Sequence, residues 1–510
     1  MYVSRRPITH QNGCHAGERA KLPGNGGAVS LPPKRTYSIE WIVAGIVLLF
    51  LGACIALLSR RFGYEINHAQ SPIRLLVALL IASGAVHLLI LTRIRRTPAN
   101  SWLVAWMIGI GVILRVGAMF SEPILEDDFY RYLWDGGVLA HGFNPFTSVP
   151  EEAAEGGPKV SEELHALALD SGAVVQRVNH PWLATCYPPV AQLVFAVAHF
   201  AAPWSLTAWR LVLFAFDFVT LLLLFALLRR LGRSPLYAAV YWWCPLVIKE
   251  GFNSAHMDIA ILPFVLGAVW FSLRSERIRD QAAALGLLGL AAGIKLWPVV
   301  LAPLLLRPLF RKPRALAAAS AAFLGVLGII VFALIPSFRL GDTSGFLAYG
   351  QRWQMNDALF MAIMWIVRRL PWVGAHASLV ARGVAAGILA LIIGLAVRRE
   401  PRGIDDMLRR AMWITAALFL LSPTQFPWYY LWVLPFLVFA PRPSLLLLTA
   451  LLPLYYLRFH FKALGQVEYF DYGIVWLEYV PVWCLLAVEG AMAFAHRKSR
   501  IKRQFQCGTA

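Results

Sequence analysis

Apolar residues along this chain occur in blocks of roughly twenty, separated by short polar segments. A helix needs about twenty apolar residues to cross the roughly 30 Å hydrocarbon core of a bilayer. The pattern therefore predicts an all-α polytopic membrane protein with about 12–14 transmembrane helices. Several of these are too short to cross alone, which indicates broken or tilted helices. The predicted spans lie near 41–58, 73–92, 102–120, 206–228, 236–250, 258–273, 282–294, 296–309, 315–336, 374–397, 411–425, 428–441, 443–457 and 474–495.

Composition excludes a soluble globular protein. The chain of 510 residues is 59% hydrophobic and 15% charged, whereas soluble domains are about 45–50% apolar and about 25% charged. The net charge of +19 comes from short connections between spans, so no nucleic-acid partner is expected. The six cysteines form no CxxC pair, and several fall inside spans, which argues against a disulfide framework or a zinc site.

The basic connections predict the orientation in the membrane. Since short loops rich in Lys and Arg stay in the cytoplasm, both termini are predicted to be cytoplasmic and the loop 121–205 to be extracytoplasmic. Arg60-Arg61 is the basic pair that disagrees. The basic segments on the cytoplasmic side are 93–96, 229–233, 274–279, 307–314, 398–410 and 497–503.

Two apolar segments are too short or too polar for spans. Tyr187–Phe200 begins with Pro188-Pro189 and carries Gln192 and His199. We interpret it as a helix that lies along the outer membrane interface, and we interpret 358–370 in the same way.

The loop 121–205 has an unusual share of the charge. It holds 11 of the 28 acidic residues and three basic ones. The acids from Glu151 to Glu163 fit a solvated surface, but Glu126-Asp127-Asp128 follows the third span closely, beside aromatic residues that favour the interface. Carboxylates held at that depth are costly, which favours a functional role.

These carboxylates suggest two kinds of chemistry. One could act as general base for a hydroxyl acceptor. Adjacent carboxylates could also hold a divalent cation, although the sequence indicates no certain cofactor and no metal ligands. Arg131 lies one turn further on; it either pairs with the aspartates or binds a phosphate.

Several short motifs follow one another from this loop to the last spans. They are Glu126-Asp-Asp-Phe-Tyr-Arg-Tyr-Leu-Trp-Asp135-Gly, His141-Gly-Phe-Asn144-Pro145-Phe, Asn179-His180-Pro, Tyr187-Pro-Pro-Val-Ala-Gln192, Asn253-Ser-Ala-His256-Met-Asp258, Gly293-Ile-Lys295-Leu-Trp-Pro298 and Ser422-Pro-Thr-Gln-Phe-Pro427-Trp-Tyr429. The ordered series resembles the GT-C superfamily of membrane glycosyltransferases, and within it the bacterial polyprenyl-phosphate-mannose-dependent mannosyltransferases. The likeness covers roughly residues 75–495, and the first two spans look like an addition to the family's usual start.

The resemblance implies a GT-C-like bundle whose first large extracytoplasmic loop carries an acidic pair and interfacial helices. It implies transfer of a hexose, mannose in these relatives, from a polyprenyl-phosphate carrier to a hydroxyl of a glycan, lipid or protein, with inversion at the anomeric carbon. The family's acidic motif maps onto Asp127, the expected base, and Asp128, the close second. The other residues that we expect to bind substrate are Arg131, Asp135, Asn144, His180, Tyr187, Gln192, His256, Asp258, Lys295, Arg352 and Trp428.

The resemblance, together with the charge pattern, also implies where the protein is located and how its chain is divided. The protein is expected in the inner (cytoplasmic) membrane of a bacterium, with its active site facing the periplasm or cell exterior. The expected parts are a disordered cytoplasmic tail (1–40), an extra N-terminal transmembrane pair (41–100), a GT-C-like transmembrane module (101–495) and a basic cytoplasmic tail (496–510).

Some residues fit this chemistry independently of the resemblance. Lys295 interrupts an apolar run just before Pro298, so we expect the helix to break there and to present a cation to a departing phosphate. Arg352 fits either a phosphate ligand or a snorkelling interfacial cation, and Arg115 fits the second. Asp217, the deepest acid, is either a proton-relay group or the partner of Arg210 or of a neighbouring helix.

The remaining candidates are polar and aromatic groups near helix junctions. His256 and Asp258 do not share a helix face, which favours binding of sugar hydroxyls or the acceptor over a metal site. Trp428 and its aromatic neighbours either stack on a sugar or line a lipid groove.

A transporter or lipid-carrier flippase is the competing function. It should show paired repeats and polar groups near the membrane midplane, whereas the polar groups here cluster at one interface. No Gly-rich nucleotide-sugar motif is present. The sequence therefore favours an enzyme with a membrane-embedded donor.

Overall fold

The structure is a computed structural model that describes residues 35–158, 160–371 and 373–507. Every regular element in these ranges is a helix, which confirms the predicted all-α membrane protein. The α-helices are α1 (Arg35–Ser59), α2 (Ile73–Leu91), α3 (Ser101–Met119), α4 (Asp128–Ala140), α5 (Pro150–Glu155), α6 (Glu162–Asp170), α7 (Ala173–Gln176), α8 (Pro189–Ala201), α9 (Leu206–Arg230), α10 (Ala239–Trp242), α11 (Pro245–Ile248), α12 (Leu262–Arg274), α13 (Ile278–Ile294), α14 (Ala302–Leu306), α15 (Pro313–Phe338), α16 (Gly345–Arg352), α17 (Ala358–Val367), α18 (Ala377–Val397), α19 (Ile404–Leu421), α20 (Leu434–Leu437), α21 (Pro443–Leu451), α22 (Leu457–Ala463), α23 (Val467–Tyr469) and α24 (Val475–Cys507).

Nine helical segments in the described ranges are long and apolar enough to cross a membrane, fewer than the 12–14 predicted spans. The difference arises because several predicted spans are short or interrupted helices. The nine segments are Ser38–Ser59, Ile73–Leu91, Ser101–Met119, Leu206–Arg230, Met257–Arg274, Pro313–Phe338, Gly374–Val397, Pro443–Ala463 and Val467–Ala495.

Proline explains much of this interruption. The predicted span 236–250 consists of the 3-10 turn Pro235–Ala238, α10, α11 and the π turn Lys249–Asn253. Pro245 is the first residue of α11, where its missing N–H costs nothing but where a continuous helix could not pass through it. Further 3-10 turns divide the predicted spans 296–309 and 428–441 at Trp297–Leu301, Arg307–Leu309 and Pro427–Trp432.

The helices at both ends of the described chain extend into the segments predicted to be tails. Helix α1 begins at Arg35, inside the predicted tail 1–40, whose residues 1–34 lie outside the described residues. Helix α24 continues through the basic segment after residue 496 and ends at Cys507.

The first two helices are packed into the bundle. Helix α1 packs on α2 and α3, and α2 packs on α21 from the opposite end of the chain. A Cβ atom on Gly84 of α2 would lie 2.7 Å from the Cβ and 2.9 Å from the Cα of Ala450 in α21. Only glycine therefore allows these two helices to approach so closely.

The loop 121–205 folds into five short helices, α4 to α8, which cover one end of the bundle. Helix α4 packs on α8, and Tyr132 stacks on Phe195 with ring centroids 4.8 Å apart. The helix predicted at Tyr187–Phe200 is α8, and the one predicted at 358–370 is α17. Their position along a membrane interface stays a prediction.

A buried ion pair holds α3, α9 and α10 together. Arg115 and Asp217 are fully buried, and Nε of Arg115 lies 2.5 Å from Oδ2 of Asp217. Tyr241 donates a hydrogen bond to the same carboxylate, and the guanidinium carbon lies 3.6 Å from the ring centroid of Trp242. The interpretation of Arg115 as a snorkelling cation is therefore wrong, because the side chain points into the bundle and not toward water.

Arg210 does not pair with Asp217. Its guanidinium instead donates to the backbone carbonyls of Met119, at 2.5 Å, and of Asn253, at 2.6 Å. It thereby links α9 to the end of α3 and to the π turn before the sixth predicted span.

We predict that Arg115→Met lowers the free energy of unfolding by about 3–5 kcal/mol, since Asp217 keeps a buried, uncompensated charge. Thermal unfolding of the detergent-solubilised protein measures this. The double variant Arg115→Met/Asp217→Leu should recover much of the loss, because no charge is then left unpaired. A double variant as unstable as the single one would contradict this account of the pair.

Candidate active site

The two adjacent aspartates stand at the N-terminus of α4. Asp127 precedes the helix and Asp128 is its first residue, so the positive end of the helix dipole favours both carboxylates. The side-chain amide of Asn179 donates to both, at 3.0 Å to Asp127 and 2.8 Å to Asp128. One amide group therefore holds the two carboxylates side by side.

Arg131 fixes the segment that supplies this amide. Its guanidinium donates to the backbone carbonyls of Asn179, His180 and Leu183, each at 3.0 Å. The structure thus supports neither of the two interpretations of Arg131, a pair with the aspartates or a free phosphate ligand. Its donors hold the backbone that positions Asn179.

Strained backbone surrounds the aspartates. Leu125, His180 and Ala255 have φ angles of 62°, 50° and 58°. Such angles cost about 1–3 kcal/mol per residue outside glycine and persist where the surroundings enforce them, often at functional sites. Each of the three residues is next to a candidate site residue: Glu126, Asn179 and His256.

The pKa of Asp127 is raised to about 6. Burial is the largest cause, and the neighbouring carboxylate of Asp128 adds to it, while the Asn179 amide opposes the shift. A carboxylate with such a pKa is still ionised at neutral pH and is a stronger base than an ordinary aspartate.

A cavity of about 650 Å³ opens in front of the pair. Asp127, Asp128 and Lys295 line it together with several aromatic side chains. The predicted site residues that line it are Asp127, Asp128, Arg131, His180, Tyr187, Lys295 and Trp428.

Lys295 stands where the sequence predicts a broken helix. Helix α13 ends at Ile294, Lys295 is extended, and a 3-10 turn begins at Trp297, which confirms the predicted break. The ammonium group lies 2.9 Å from the nearer carboxylate oxygen of Asp258 and 3.8 Å from the ring centroid of Tyr429. Lys295 is thus held at the cavity wall, and its ammonium group still has an N–H available for a further hydrogen bond.

Asp258 is fully buried behind this lysine. Besides Lys295, it accepts a hydrogen bond of 2.6 Å from the indole of Trp432. Trp432 stacks on Tyr429 with centroids 4.7 Å apart, and Tyr429 shares a hydrogen bond of 2.6 Å with Tyr349. Asp258 therefore orients the cation and the aromatic wall and does not itself line the cavity.

His256 lies between two carboxylates and below an aromatic ring. Its Nδ1 is 3.7 Å from Asp128 and its Nε2 is 3.6 Å from Glu250. The imidazole stacks on Trp428 with centroids 3.9 Å apart and an angle of 13° between the planes. The fully buried ring contacts the aspartate pair from behind the cavity wall.

Asp135 and Gln192 lie near the cavity but do not line it, and they connect the helices that carry the site residues. The amide of Gln192 in α8 donates to Asp135 in α4 at 3.3 Å, to the Thr185 hydroxyl at 2.9 Å and to the Tyr187 carbonyl at 3.1 Å. Burial raises the pKa of Asp135 to about 6, although Arg131 opposes this. This network joins α4 to α8 and sets the position of the Tyr187 ring.

Asn144 is a predicted site residue that does not line the cavity, and neither do Asp135, Gln192, His256 and Asp258. Asn144 is exposed, and its side chain accepts a bond of 2.9 Å from the backbone N–H of Phe146, which makes it a turn residue. The side chain of Arg352 lies outside the described part of the structure. The prediction for Arg352 therefore stays a prediction.

Sequence reasoning missed three residues of this site. Asn179 stands in a quoted motif, but only its neighbour His180 was chosen; Glu250 and Tyr349 were not chosen either. The signal for Glu250 was a carboxylate beside Lys249 in an apolar segment. Among the described residues, no group of three or more His, Cys, Asp or Glu side chains is arranged to hold a metal ion.

Comparison with known protein families gives one match. Residues 42–311, more than half of the chain, match the MptA_B family, described as alpha-(1->6)-mannopyranosyltransferase, N-terminal domain. The match includes α1 and α2 as well as the segments that carry Asp127, His256 and Lys295. No curated protein and no solved structure matched the sequence. The chain therefore belongs to the MptA_B family of mannosyltransferases.

Proposed function

We propose that this mannosyltransferase takes mannose from a polyprenyl-phosphate carrier and transfers it to a hydroxyl of a glycan, lipid or protein at the extracytoplasmic face of a bacterial cytoplasmic membrane. The observation that carries the proposal is the pair Asp127–Asp128, held by Asn179 in a cavity that Lys295 also lines. The family description supports an α-(1→6) linkage. The resemblance to GT-C enzymes supports the carrier and the inversion of the anomeric carbon.

The aspartate pair supplies the general base. As the acceptor oxygen bonds to the anomeric carbon, one carboxylate takes the hydroxyl proton and the carbon–oxygen bond to the phosphate breaks. Asp127 is supported by its raised pKa, and Asp128 by its contact with His256. The reaction needs no metal for this step, and a divalent cation remains an untested addition.

Lys295 supplies positive charge for the leaving phosphate. Arg131 also lines the cavity, but three of its N–H groups already donate to backbone carbonyls, whereas both hydrogen bonds of Lys295 go to a single carboxylate. Among the described side chains, Lys295 is therefore the best-placed permanent cation. A preorganised cation aimed at developing charge is one of the strongest devices in catalysis.

A membrane-embedded donor fits the cavity wall. Its lining includes Leu296, Trp297, Phe346 and Leu418 beside the polar groups. These side chains favour an isoprenoid over a nucleotide, which would need several charged or backbone donors around its phosphates. The basic connections, predicted to be cytoplasmic, support an extracytoplasmic reaction because the aspartate loop is predicted on the other side of the membrane.

We predict that Asp127→Asn and Asp128→Asn each lower kcat by about 10²–10⁴-fold, because general-base catalysis contributes that much. Transfer of radiolabelled mannose from polyprenyl-phosphate mannose by membranes expressing each variant measures the effect. Glu163→Gln, in the exposed part of the same loop, is the matched control and should keep full activity. Wild-type rates in both aspartate variants would remove the pair from the mechanism.

We predict that kcat falls as the pH drops through about 6, where Asp127 takes up a proton. Protonation removes the base itself or, if Asp128 is the base, the negative charge that strengthens it. Asn179→Ala should move this acid limb upward by roughly one unit, since the lost hydrogen bond favours the ionised form and is worth about 1.5–3 kcal/mol. A pH profile of the variant that shifts downward would contradict the assignment.

We predict that Lys295→Met lowers kcat by roughly 10²–10³-fold through loss of phosphate stabilisation. The same change leaves Asp258 buried without its cation, so Lys295→Met/Asp258→Asn is the necessary companion variant. The companion should recover thermal stability without recovering activity. Recovery of both would mean that Lys295 serves only to neutralise Asp258.

A further inference from the structure

A buried row of polar side chains leads from the aspartate pair into the helix bundle. From Asp128 it passes to His256 at 3.7 Å and then to Glu250 at 3.6 Å. The hydroxyl of Tyr456 donates to the other oxygen of Glu250 at 2.6 Å, and Lys249 donates to that hydroxyl at 2.9 Å. All members beyond Asp128 are buried.

The two contacts of His256 with its neighbouring carboxylates, across which a proton would have to move, are longer than hydrogen bonds. Both ring nitrogens of His256 and Oε2 of Glu250 are buried and have no hydrogen-bond partner. An unsatisfied polar group in an apolar interior lowers stability, so such groups are rare and their presence favours a functional role. A shift of about half an ångström would make both contacts hydrogen bonds, as happens when catalytic contacts tighten around a substrate.

The ring of His256 is held in the right plane for this transfer. Its stacking on Trp428 leaves the two nitrogens facing the two carboxylates. Burial lowers the pKa of His256 well below its usual value, and the positive charges of Lys249 and Lys295 lower it further, which disfavours a lasting imidazolium. A neutral imidazole has one N–H and one lone pair, so it can accept a proton on one side and release another on the other side.

We propose that His256 and Glu250 form a proton relay that removes the acceptor's hydroxyl proton from Asp128. The inference rests on the proposed function. The proton moves to Asp128 while the acceptor oxygen bonds to the anomeric carbon, and the electrons of the broken bond leave with the phosphate. His256 takes this proton at Nδ1 and gives its Nε2 proton to Oε2 of Glu250.

The relay has two consequences for the site. It regenerates the Asp128 carboxylate while the lipid phosphate still fills the cavity, and the proton returns to water along the same path after that product leaves. It also makes Asp128, rather than Asp127, the carboxylate that takes the proton. His256 and Glu250 then do not touch the substrate. They act through Asp128, whose proton they remove, and are positioning residues in that sense.

The test compares His256→Phe, which keeps the stacking on Trp428, and Glu250→Gln with the wild-type enzyme. We expect kcat to fall about ten- to a hundred-fold, while KM for polyprenyl-phosphate mannose and for the acceptor changes by less than about two-fold. His199→Phe is the matched control, because this buried histidine lies against Trp204 and away from the row. Thermal unfolding of each solubilised variant checks that the fold is kept.

Two further measurements separate a relay from a structural role. In mixtures of H₂O and D₂O, the dependence of wild-type kcat on the deuterium fraction should be curved, and it should be closer to linear in Glu250→Gln. Imidazole should restore activity to His256→Gly, whereas 1-methylimidazole, which cannot carry a proton through both nitrogens, should not.

The outcomes distinguish this inference from the proposed function. Wild-type kcat in both His256→Phe and Glu250→Gln would overturn the relay and leave mannosyl transfer intact. Equal rescue by the two imidazoles with an unchanged deuterium dependence would reduce His256 to a structural role and would also overturn it. A wild-type enzyme that transfers no mannose from polyprenyl-phosphate mannose would instead overturn the proposed function.

Discussion

A charge inside an apolar helix bundle is costly unless another group replaces the water that it has lost, and several charged side chains of this protein follow that constraint. Arg115 is paired with Asp217, and Lys295 with Asp258. Arg131 is compensated by backbone carbonyls, which also fixes a loop. The charges that secure the bundle and those that shape the site are therefore built in the same way, by pairing between segments distant in sequence.

This constraint explains how much the sequence could predict. The long apolar helices, the break at Lys295 and the acidic pair follow from local patterns, since apolar length, proline and clustered carboxylates act within a few residues. The partners of Arg115, Arg131 and Asn179 do not, because they depend on which distant segments meet. Arg115 and Arg210 both lie among apolar residues of a predicted span, yet one binds a carboxylate and the other binds carbonyls.

The site combines rigid and strained parts. Asn179 holds the aspartates, Arg131 fixes the backbone that carries Asn179, and the stacked rings of Tyr429 and Trp432 lie against Lys295. The left-handed backbone at Leu125 is strained, so this geometry lowers the free energy of unfolding. A preorganised site of this kind has little to rearrange when a substrate arrives.

The close contact of Gly84 with Ala450 sets the order in which the protein can be assembled. Helix α2 is synthesised early, but the helix that covers its glycine face is completed only after residue 450 has been made. Until then the first helices must remain in the membrane with that face open to lipid or to an insertion factor. Closure of the bundle is thus a late event in biogenesis, and a chain truncated before α21 would leave its earliest helices without their final partner.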